Sequence, residues 1–441
     1  MRTSDTLHPF SVLHPPHTKQ ELSALYRRLT HPQKLARHMQ NTYNTGVPFF
    51  YPLFFAGKES RMQAPKTVLF AFDSFKGTLS AQSACDIVAQ AWCRIFPDTS
   101  TTKLPIADGG EGLVDAYLHI AGGEACHCTV QGPFGEPVQA KYGILKSGAA
   151  IIEMAACAGL PLASGRENPL RASTFGLGKL LLDAEKRGAT QIILGLGGSA
   201  TNDCGIGMAA ALGYRFYDGD GNLLAPLAEN LERIEKLERP SHMPNFSVVA
   251  ACDVDNPLTG PHGATYTFGR QKGADDAMLA RLEAGMVHFS GVLRRAFSRD
   301  VVPISGAGAA GGLGAGVLTF LNGSLQPGIE LLLNAADFDT LVQQADLIVT
   351  GEGRIDYQTA HGKVPAGIAR RAKQYNKPCI ALCGAIGKNA EAVYACGIDA
   401  VFSATPGICT WEDVQQESAQ NLAALAENVA RLTKTILTMQ P

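Results

Sequence analysis

The sequence predicts an α/β protein of two domains, in which a parallel-sheet domain is split along the chain and a second α/β domain is inserted between its halves. Three observations support this prediction. With 441 residues, the chain is longer than one hydrophobic core usually supports. Short apolar runs alternate with helical periodicity near both ends, as in parallel sheets covered by helices. Many of the 47 glycines lie in loops of the segment between.

The composition is that of a globular protein without a nucleic-acid or membrane partner. Hydrophobic residues make up 46% and charged residues 18%, and the formal net charge of −2 provides no basic field for nucleic acid. The sequence has no apolar run of about 18 residues that could span a bilayer. The 11 cysteines are scattered without metal-ligand spacing. This pattern favours a reducing compartment, and we therefore expect a cytoplasmic protein.

Residues 1–61 differ from the rest of the chain. They contain five of the 11 histidines and an excess of basic residues, and regular patterning begins only after Met62. We expect an N-terminal extension that is disordered or outside the functional chain, either a tail or an upstream extension of the reading frame. A targeting segment is the alternative, but no apolar stretch with a cleavage site follows the basic residues.

The parallel-sheet domain is predicted from repeated strand–helix units and is placed at residues 62–128 and 338–441. The first unit is a strand from Thr67 to Phe72 and a helix that Ser80 caps. The later predicted elements are a strand at 103–107, a helix at 111–120, a strand at 345–350, a helix at 363–374, strands at 378–383 and 400–404, and a helix at 412–438.

The inserted α/β domain is placed at residues 129–337. A hairpin is predicted near its start, because residues 123–145 alternate around the turn Gly132-Pro-Phe-Gly135. The rest of this domain holds two glycine-rich loops, at residues 195–203 and 305–316.

Three loops of the parallel-sheet domain combine carboxylates with glycines. They lie at residues 73–78, 107–112 and 351–356, each directly after a predicted strand. Ligands gather beyond the carboxyl ends of parallel strands, where helix N-termini present free N–H groups. Carboxylates with close backbone donors suit Mg²⁺ and phosphate oxygens. One such loop is usually a plain turn, but three at one sheet edge predict a site.

The loops of the inserted domain suggest contact with a phosphate or nucleotide. Glycine lets the backbone approach a ligand closely, and Ser199, Thr201 and Asn202 add neutral donors and acceptors. The second loop formally contains the dinucleotide pattern Gly306-x-Gly-x-x-Gly311. Because Pro303 interrupts the preceding segment, close packing of these glycines against backbone is at least as well supported.

Two further carboxylate positions have open alternatives. Asp253 and Asp255 follow the predicted strand at 246–250, and either could accept a hydroxyl proton, hold a metal or only form an Asx turn with Asn256. Glu153 lies in an apolar run and is therefore either paired or functional. We favour a functional role for Glu153.

Taken together, these motifs resemble the bacterial-type glycerate kinases, which make 2-phosphoglycerate from D-glycerate and ATP. The matching segments are Asp73–Gly77, Pro105–Gly112, Leu194–Asp203, Cys252–Leu258, Gly308–Gly314, Thr350–Asp356 and Gly362-Lys363. The resemblance covers about Lys66 to the C-terminus. It implies a discontinuous Rossmann-like parallel-sheet domain with a second α/β domain inserted, and the small-molecule substrates D-glycerate and ATP.

Roles within the matching motifs follow from the chemistry of phosphoryl transfer, which needs positioning and charge neutralisation. Lys76 and Arg354 would hold the glycerate carboxylate or the transferring phosphoryl group, and Asp203 or Asp253 would orient the attacking hydroxyl. The candidate Mg²⁺ ligands are Asp108, Glu352 and Asp356. The candidate substrate- or nucleotide-binding residues are Asp73, Ser74, Gly109, Gly110, Gly197, Gly198, Ser199, Thr201, Asn202, Gly308, Gly311, Gly312 and Lys363.

The sequence leaves three other functions open. The kinase could phosphorylate the 3-hydroxyl, or the protein could be an NADH-dependent hydroxy-acid reductase or a non-catalytic sensor of glycerate or nucleotide. The many carboxylates argue against an anion sensor, which gains nothing from them unless a metal lies among them. The oligomeric state is also open, with a homodimer among the alternatives.

Overall fold

The computed structural model describes residues 63–106, 112–407 and 409–439, so that the expectations for residues 1–61 and 107–111 lie outside the described residues. The strands are β1 Thr67–Phe72, β2 Ser100–Pro105, β3 Gly123–Gln131, β4 Pro137–Leu145, β5 Ala150–Glu153, β6 Gln191–Gly195, β7 Arg215–Tyr217, β8 Lys236–Glu238, β9 Ser247–Ala251, β10 Ser324–Gln326, β11 Leu347–Gly351, β12 Arg354–Ile355, β13 Cys379–Cys383, β14 Ala385–Ile386 and β15 Ala400–Ser403.

The α-helices cover both sheets, and three short 3₁₀ helices join them at Ala228–Arg233, Arg270–Lys272 and Ala390–Cys396. The α-helices are α1 Ala81–Ile95, α2 Leu113–Ala121, α3 Ala155–Ala158, α4 Leu160–Ala163, α5 Phe175–Lys186, α6 Ile206–Ala211, α7 Ala264–Phe268, α8 Asp276–Phe297, α9 Ala309–Phe320, α10 Gly328–Ala335, α11 Phe338–Gln344, α12 Tyr357–Ala360, α13 Val364–Gln374 and α14 Trp411–Thr438. Within the described residues, none of the helices combines the length and the apolar character needed to cross a membrane.

A five-stranded sheet joins the two ends of the described chain in the order β15-β13-β11-β1-β2, with every pair parallel. This confirms the predicted parallel sheet. The central strand β1 is buried on both faces. Leu69 and Ala71 pack into one hydrophobic core, while Val68, Phe70 and Phe72 pack into another with α1 and α14. Burial on both faces explains why this strand is a continuous apolar run.

Strand β2 begins three residues earlier than predicted and ends at Pro105, not at Ala107. Its first residues, Ser100 to Thr102, are polar, but they pair in register with Thr67 to Leu69 of β1. β2 is the edge of the sheet, where one side of the strand can face water, and β-branched threonine suits a pleated strand. The first half of this strand is therefore not visible in the sequence as an apolar run.

The second sheet has six strands in the order β10-β9-β6-β5-β4-β3. Strands β5, β6, β9 and β10 are parallel, and β3 and β4 form the predicted antiparallel hairpin, in whose turn Gly135 has φ +90°. The predicted domain boundary between residues 128 and 129 falls inside β3, which pairs with β4 along its whole length. The strand arrangement therefore favours a junction between α2 and β3.

The two sheets share a hydrophobic core. Leu69 of β1, Ile151 of β5 and Ala251 of β9 belong to one cluster, together with Tyr117 of α2 and Leu332 of α10. All described residues accordingly belong to a single compact unit. The division into two domains stays a prediction, but the shared core holds the loops of both sheets in a defined relation.

Candidate active site

A cavity of about 470 Å³ lies beyond the carboxyl ends of β1, β11, β13 and β15, and we call it the Trp411 cavity. Its wall includes Ser74, Lys76, Glu352, Arg354, Lys363 and Trp411. Trp411 is the first residue of α14, whose N-terminus is fixed by a capping box. Thr410 Oγ1 accepts a hydrogen bond from Asp413 N at 3.2 Å, and the Asp413 carboxylate accepts one from Thr410 N at 2.9 Å. The cap holds the indole at the edge of the cavity.

A tight turn after β1 presents Lys76. Phe75 is buried, its ring centroid lies 6.4 Å from that of Phe72, and its backbone N–H donates to Leu79 O at 2.8 Å. Gly353 lies directly against this turn, since a Cβ there would be 3.3 Å from Lys76 N. The loop after β11 therefore supports the backbone of Lys76, whose own side chain is exposed.

A second cavity, of about 340 Å³, lies at the carboxyl ends of β6 and β9, and we call it the Lys272 cavity. Its wall includes Gly197, Gly198, Ser199, Asp253, Lys272 and Lys76. Lys76 thus borders both cavities. The predicted glycine-rich loop at 195–203 and the predicted carboxylate loops at 73–78 and 351–356 meet at this lysine.

Lys272, which sequence reasoning did not single out, is the buried cation of the second cavity. Only 2% of the residue is exposed, and Nζ donates to Ser199 Oγ at 2.8 Å and to Thr201 O at 2.7 Å. Burial lowers the pKa of Lys272 to about 7, and the charge of Asp203 opposes this shift. Lys272 ends a short 3₁₀ helix that Gly273 terminates at φ +90°, a pattern that indicates only a turn.

Asp203 is fully buried and does not line either cavity. Its Oδ2 accepts hydrogen bonds from the N–H and the hydroxyl of Thr174, both at 2.8 Å, and from Gly207 N at 3.3 Å. Its Oδ1 accepts one from Gly205 N at 3.1 Å. Burial raises the pKa of Asp203, and these hydrogen bonds lower it. This geometry favours a structural role for Asp203, and the contact with the attacking hydroxyl stays a prediction.

Thr201 and Asn202, in the same loop, are also fully buried. The Asn202 amide donates to Thr265 Oγ1 at 3.2 Å, and the Thr201 carbonyl accepts from Lys272. Thr201 Oγ1 and Asn202 Oδ1 have no hydrogen-bond partner among the described residues. The side chains of Thr201 and Asn202 do not line the cavity. Thr201 contributes to it indirectly, because its backbone carbonyl accepts a hydrogen bond from Lys272, which does line it.

Asp253 is exposed in the Lys272 cavity, at the end of β9. Its Oδ1 accepts a hydrogen bond from Gly328 N, the first residue of α10, at 2.8 Å. Asp255 does not line the cavity, and the Asn256 side chain donates to His262 O at 2.7 Å. Of the alternatives open for this loop, the geometry favours access to a ligand for Asp253, whereas Asp255 and Asn256 lie outside the cavity wall.

Gly308, Gly311 and Gly312 are buried against neighbouring backbone and side chains. A Cβ at Gly308 would lie 2.2 Å from Pro257 O, and one at Gly311, where φ is +67°, would lie 2.0 Å from Thr201 O. Residues 301–308, all of them described, form turns and contain no strand. The strand–loop–helix context of a dinucleotide fingerprint is thus missing, and the glycines serve close packing of α9 on the loop at 201–205.

The candidate metal ligands after β11 already have protein partners. Glu352 is buried and accepts a hydrogen bond from Thr359 Oγ1 at 2.6 Å, with Lys363 Nζ 3.6 Å away. Asp356 caps α12 and lies 3.5 Å from Arg354 Nε. Asp108, Gly109 and Gly110 lie outside the described residues. No cluster of three or more candidate metal ligands occurs in 63–106, 112–407 or 409–439.

Glu153, for which we favoured a functional role, caps a helix. Its Oε1 accepts a hydrogen bond from Val114 N at 3.0 Å, in the first turn of α2. Gly112 precedes this helix at φ +92° and has no side chain to act as a cap, so the cap comes from β5. Burial raises the pKa of Glu153. The structure thus supports the alternative that Glu153 is paired, because its carboxylate accepts a backbone hydrogen bond from α2.

The profile of the glycerate kinase family matches residues 68–434. The chain belongs to the glycerate kinase family. A glycerate kinase of Bacillus cereus is 45% identical over 372 residues, which cover 83% of this chain and 98% of that protein. The glycerate 2-kinase of Escherichia coli is 40% identical over 368 residues, 82% of this chain and 97% of that protein. The crystal structure of a protein from Salmonella typhimurium LT2, provisionally named glycerate kinase 2, has a TM-score of 0.76 and 40% identity, and the match covers 85% of this chain and all of that one.

In this glycerate kinase family member, nine of the 20 predicted site residues line the two cavities. The Trp411 cavity receives Ser74, Lys76, Glu352, Arg354 and Lys363, and the Lys272 cavity receives Gly197, Gly198, Ser199 and Asp253. Sequence reasoning missed Lys272 and Trp411. One signal could have identified Trp411: it is one of only two tryptophans in the chain and stands at the start of a helix that follows a predicted strand.

Proposed function

We propose that this protein transfers the terminal phosphoryl group of ATP to the 2-hydroxyl of D-glycerate, producing 2-phosphoglycerate and ADP. Membership of the glycerate kinase family and the similarity to the E. coli glycerate 2-kinase support the proposal. The structural observation that carries it is that Lys76 borders both cavities. A cation between two cavities is suited to stabilise charge that moves from a donor to an acceptor.

ATP is assigned to the Trp411 cavity, the larger of the two. Trp411, Pro406 and Val414 supply an apolar wall on which a base can stack, and the indole is 58% exposed. Lys76, Arg354 and Lys363 line the same cavity and would meet the phosphates. Arg354 lies 3.5 Å from Asp356, a distance from which its guanidinium can turn towards a bound anion.

D-Glycerate is assigned to the smaller Lys272 cavity. Asp253 would orient the 2-hydroxyl and accept its proton as the hydroxyl oxygen attacks the terminal phosphorus atom of ATP. The new O–P bond forms as the bond between the terminal phosphorus and the bridging oxygen breaks, and ADP leaves with the electron pair. Lys76 would neutralise the charge on the transferring group.

Mg²⁺ is part of the proposal. Glu352 and Asp73 are buried carboxylates that follow the neighbouring strands β11 and β1, and Mg²⁺ in such sites commonly takes one or two carboxylates together with substrate phosphates. Bound there, the ion would neutralise phosphate charge. Asp356 is a weaker candidate, because its carboxylate already caps α12. We also place the protein in the cytoplasm, since all 11 cysteines are unpaired.

A coupled ADP-release assay with D-glycerate and MgATP, followed by phosphorus NMR of the product, tests the proposal. We expect ADP release that depends on D-glycerate and a 2-phosphoglycerate signal. A 3-phosphoglycerate signal would reassign the attacking hydroxyl. Glycerate binding without ADP release would support the sensor function, and oxidation of NADH by hydroxypyruvate without ADP release would support the reductase.

Replacing Trp411 by alanine tests the assignment of ATP. We expect the KM for MgATP to rise about 10-fold, which is typical of losing one base–aromatic stack, with the KM for D-glycerate nearly unchanged. Trp411→Phe keeps an aromatic face and should lose less, and Tyr394→Ala removes an exposed aromatic residue elsewhere. A rise in the KM for D-glycerate alone would reverse the assignment of the two cavities.

A further inference from the structure

The proposed phosphoryl transfer leaves the buried amine of Lys272 without a role. Within the described residues, no carboxylate lies within ion-pair distance of its Nζ. The nearby Asp203 acts on it through charge alone, since both Asp203 oxygens accept hydrogen bonds from other groups. A buried cation without an ion-pair partner is costly, and natural proteins rarely keep one without a function.

Lys272 is placed to bind an anionic ligand in the cavity. An ammonium group has three N–H donors, and among the described residues two are used, by Ser199 Oγ and Thr201 O. Lys272 lines the cavity, so its remaining donor is available to a bound molecule. The two protein acceptors orient the amine, and an anion in the cavity would supply the charge that the protein lacks.

We propose that Lys272 binds the carboxylate of D-glycerate and takes up a proton as this anion enters the cavity. This inference rests on the proposed function. It divides recognition within the cavity between two side chains: Lys272 would hold the carboxylate and Asp253 the hydroxyl. The same arrangement favours small hydroxy acids over uncharged polyols, because only an anion gains a charge–charge interaction with the protonated amine.

The proton uptake follows from the surroundings of the amine. Burial lowers the pKa of Lys272 to about 7, so the amine is largely neutral above that pH when the cavity is empty. A bound carboxylate favours the charged amine and raises this pKa again. Binding above about pH 7 must therefore take up a proton, and affinity must fall as the pH rises. The other ionisable groups around this segment are Asp203, Asp253, Lys76, Arg270 and Glu167.

The first test is a pair of substitutions on the same short helix. For Lys272→Met we expect the KM for D-glycerate to rise about 10- to 100-fold, as for loss of a hydrogen bond to a charged group, with a much smaller change in the KM for MgATP. The wild-type KM for D-glycerate should rise with pH above about 7, and the variant should lose this dependence. The control is Arg270→Met, which removes an exposed cation paired with Asp276 and should change neither KM.

The second test needs no substitution. Isothermal titration of the wild-type protein at about pH 8, in two buffers of different ionisation enthalpy, should show uptake of close to one proton per D-glycerate bound. MgADP, titrated separately, should show none, because a phosphate with a pKa near 6 is already ionised there. Proton uptake with MgADP but not with D-glycerate would overturn the assignment to the hydroxy acid. This measurement decides the question even if Lys272→Met does not fold.

These outcomes separate this inference from the proposed function. Wild-type protein that releases no ADP with D-glycerate contradicts the proposed function itself. Active wild-type protein with no proton uptake, or a Lys272→Met variant with an unchanged KM for D-glycerate, leaves the kinase in place and overturns the role of Lys272.

Discussion

Replacing Lys76 by methionine is expected to lower kcat/KM about 10²- to 10³-fold, mostly through kcat, the size typical of losing one charged or polar group that stabilises a transition state. The reason is position: Lys76 borders both cavities, on a turn that the buried Phe75 and the neighbouring Gly353 hold in place. A group that meets the phosphoryl group only during transfer affects kcat more than the KM of either substrate. Initial rates at varied D-glycerate and MgATP measure both.

The stability of the Lys76→Met variant should stay within about 0.5 kcal/mol of wild type, since the side chain is exposed. Lys76→Arg keeps the charge and should recover part of the activity. The matched control is Lys434→Met, which removes an exposed lysine of α14 that lines neither cavity. Unchanged kinetics in folded Lys76→Met would remove this residue from the site, and a rise in one KM without loss of kcat would make it a ground-state contact.

The order of strands and helices could be predicted because local signals and burial agree in this chain. β1 is apolar from Val68 to Phe72 because both of its faces are covered there, and Ser80 caps α1 by accepting a hydrogen bond from Ser83 N at 3.1 Å. Both features can be predicted because each depends on a short run of consecutive residues. The polar start of β2 could not be predicted in the same way, because its strand conformation depends on pairing with β1 at a sheet edge.

The choice between Asp203 and Asp253 shows where sequence reasoning about the site ended. Both carboxylates lie in loops that follow strands of the second sheet, Asp203 after β6 and Asp253 after β9, so the chemistry of the motifs cannot separate them. The structure distinguishes the two carboxylates through Thr174, which lies 29 positions before Asp203. The N–H and the hydroxyl of Thr174 donate hydrogen bonds to Asp203 and hold its side chain in the core. The Asp253 carboxylate accepts a hydrogen bond from the N–H of Gly328 and lines the cavity.

Lys272 was missed for a related reason. The residues around it, Gly269-Arg-Gln-Lys-Gly273, are those of an exposed turn, where a lysine normally lies in water. Its burial results from the loop at 199–201, about seventy positions earlier in the chain, which supplies both of its acceptors. A buried lysine of this kind becomes visible only when the tertiary structure is known.

Replacing Asp203 by alanine is expected to lower the free energy of unfolding by about 3–5 kcal/mol. The substitution leaves the N–H groups of Thr174, Gly205 and Gly207 buried without an acceptor, and each such group costs about 1–3 kcal/mol. Urea unfolding with an unchanged m-value measures the loss. Asp203→Asn keeps the shape and one acceptor oxygen, so it should lose less stability than the alanine variant.

The asparagine variant also separates a structural Asp203 from a catalytic one. If Asp203 accepted the hydroxyl proton, Asp203→Asn would lose most of kcat while keeping its stability, and that result would contradict the structural role. If Asp203 only holds the loop, kcat of the folded variant should stay within about 10-fold of wild type. Because the charge of Asp203 raises the pKa of Lys272, removing that charge should lower this pKa further. The rise in the KM for D-glycerate should then begin at a lower pH than in the wild-type protein, which links the buried carboxylate to substrate binding through Lys272.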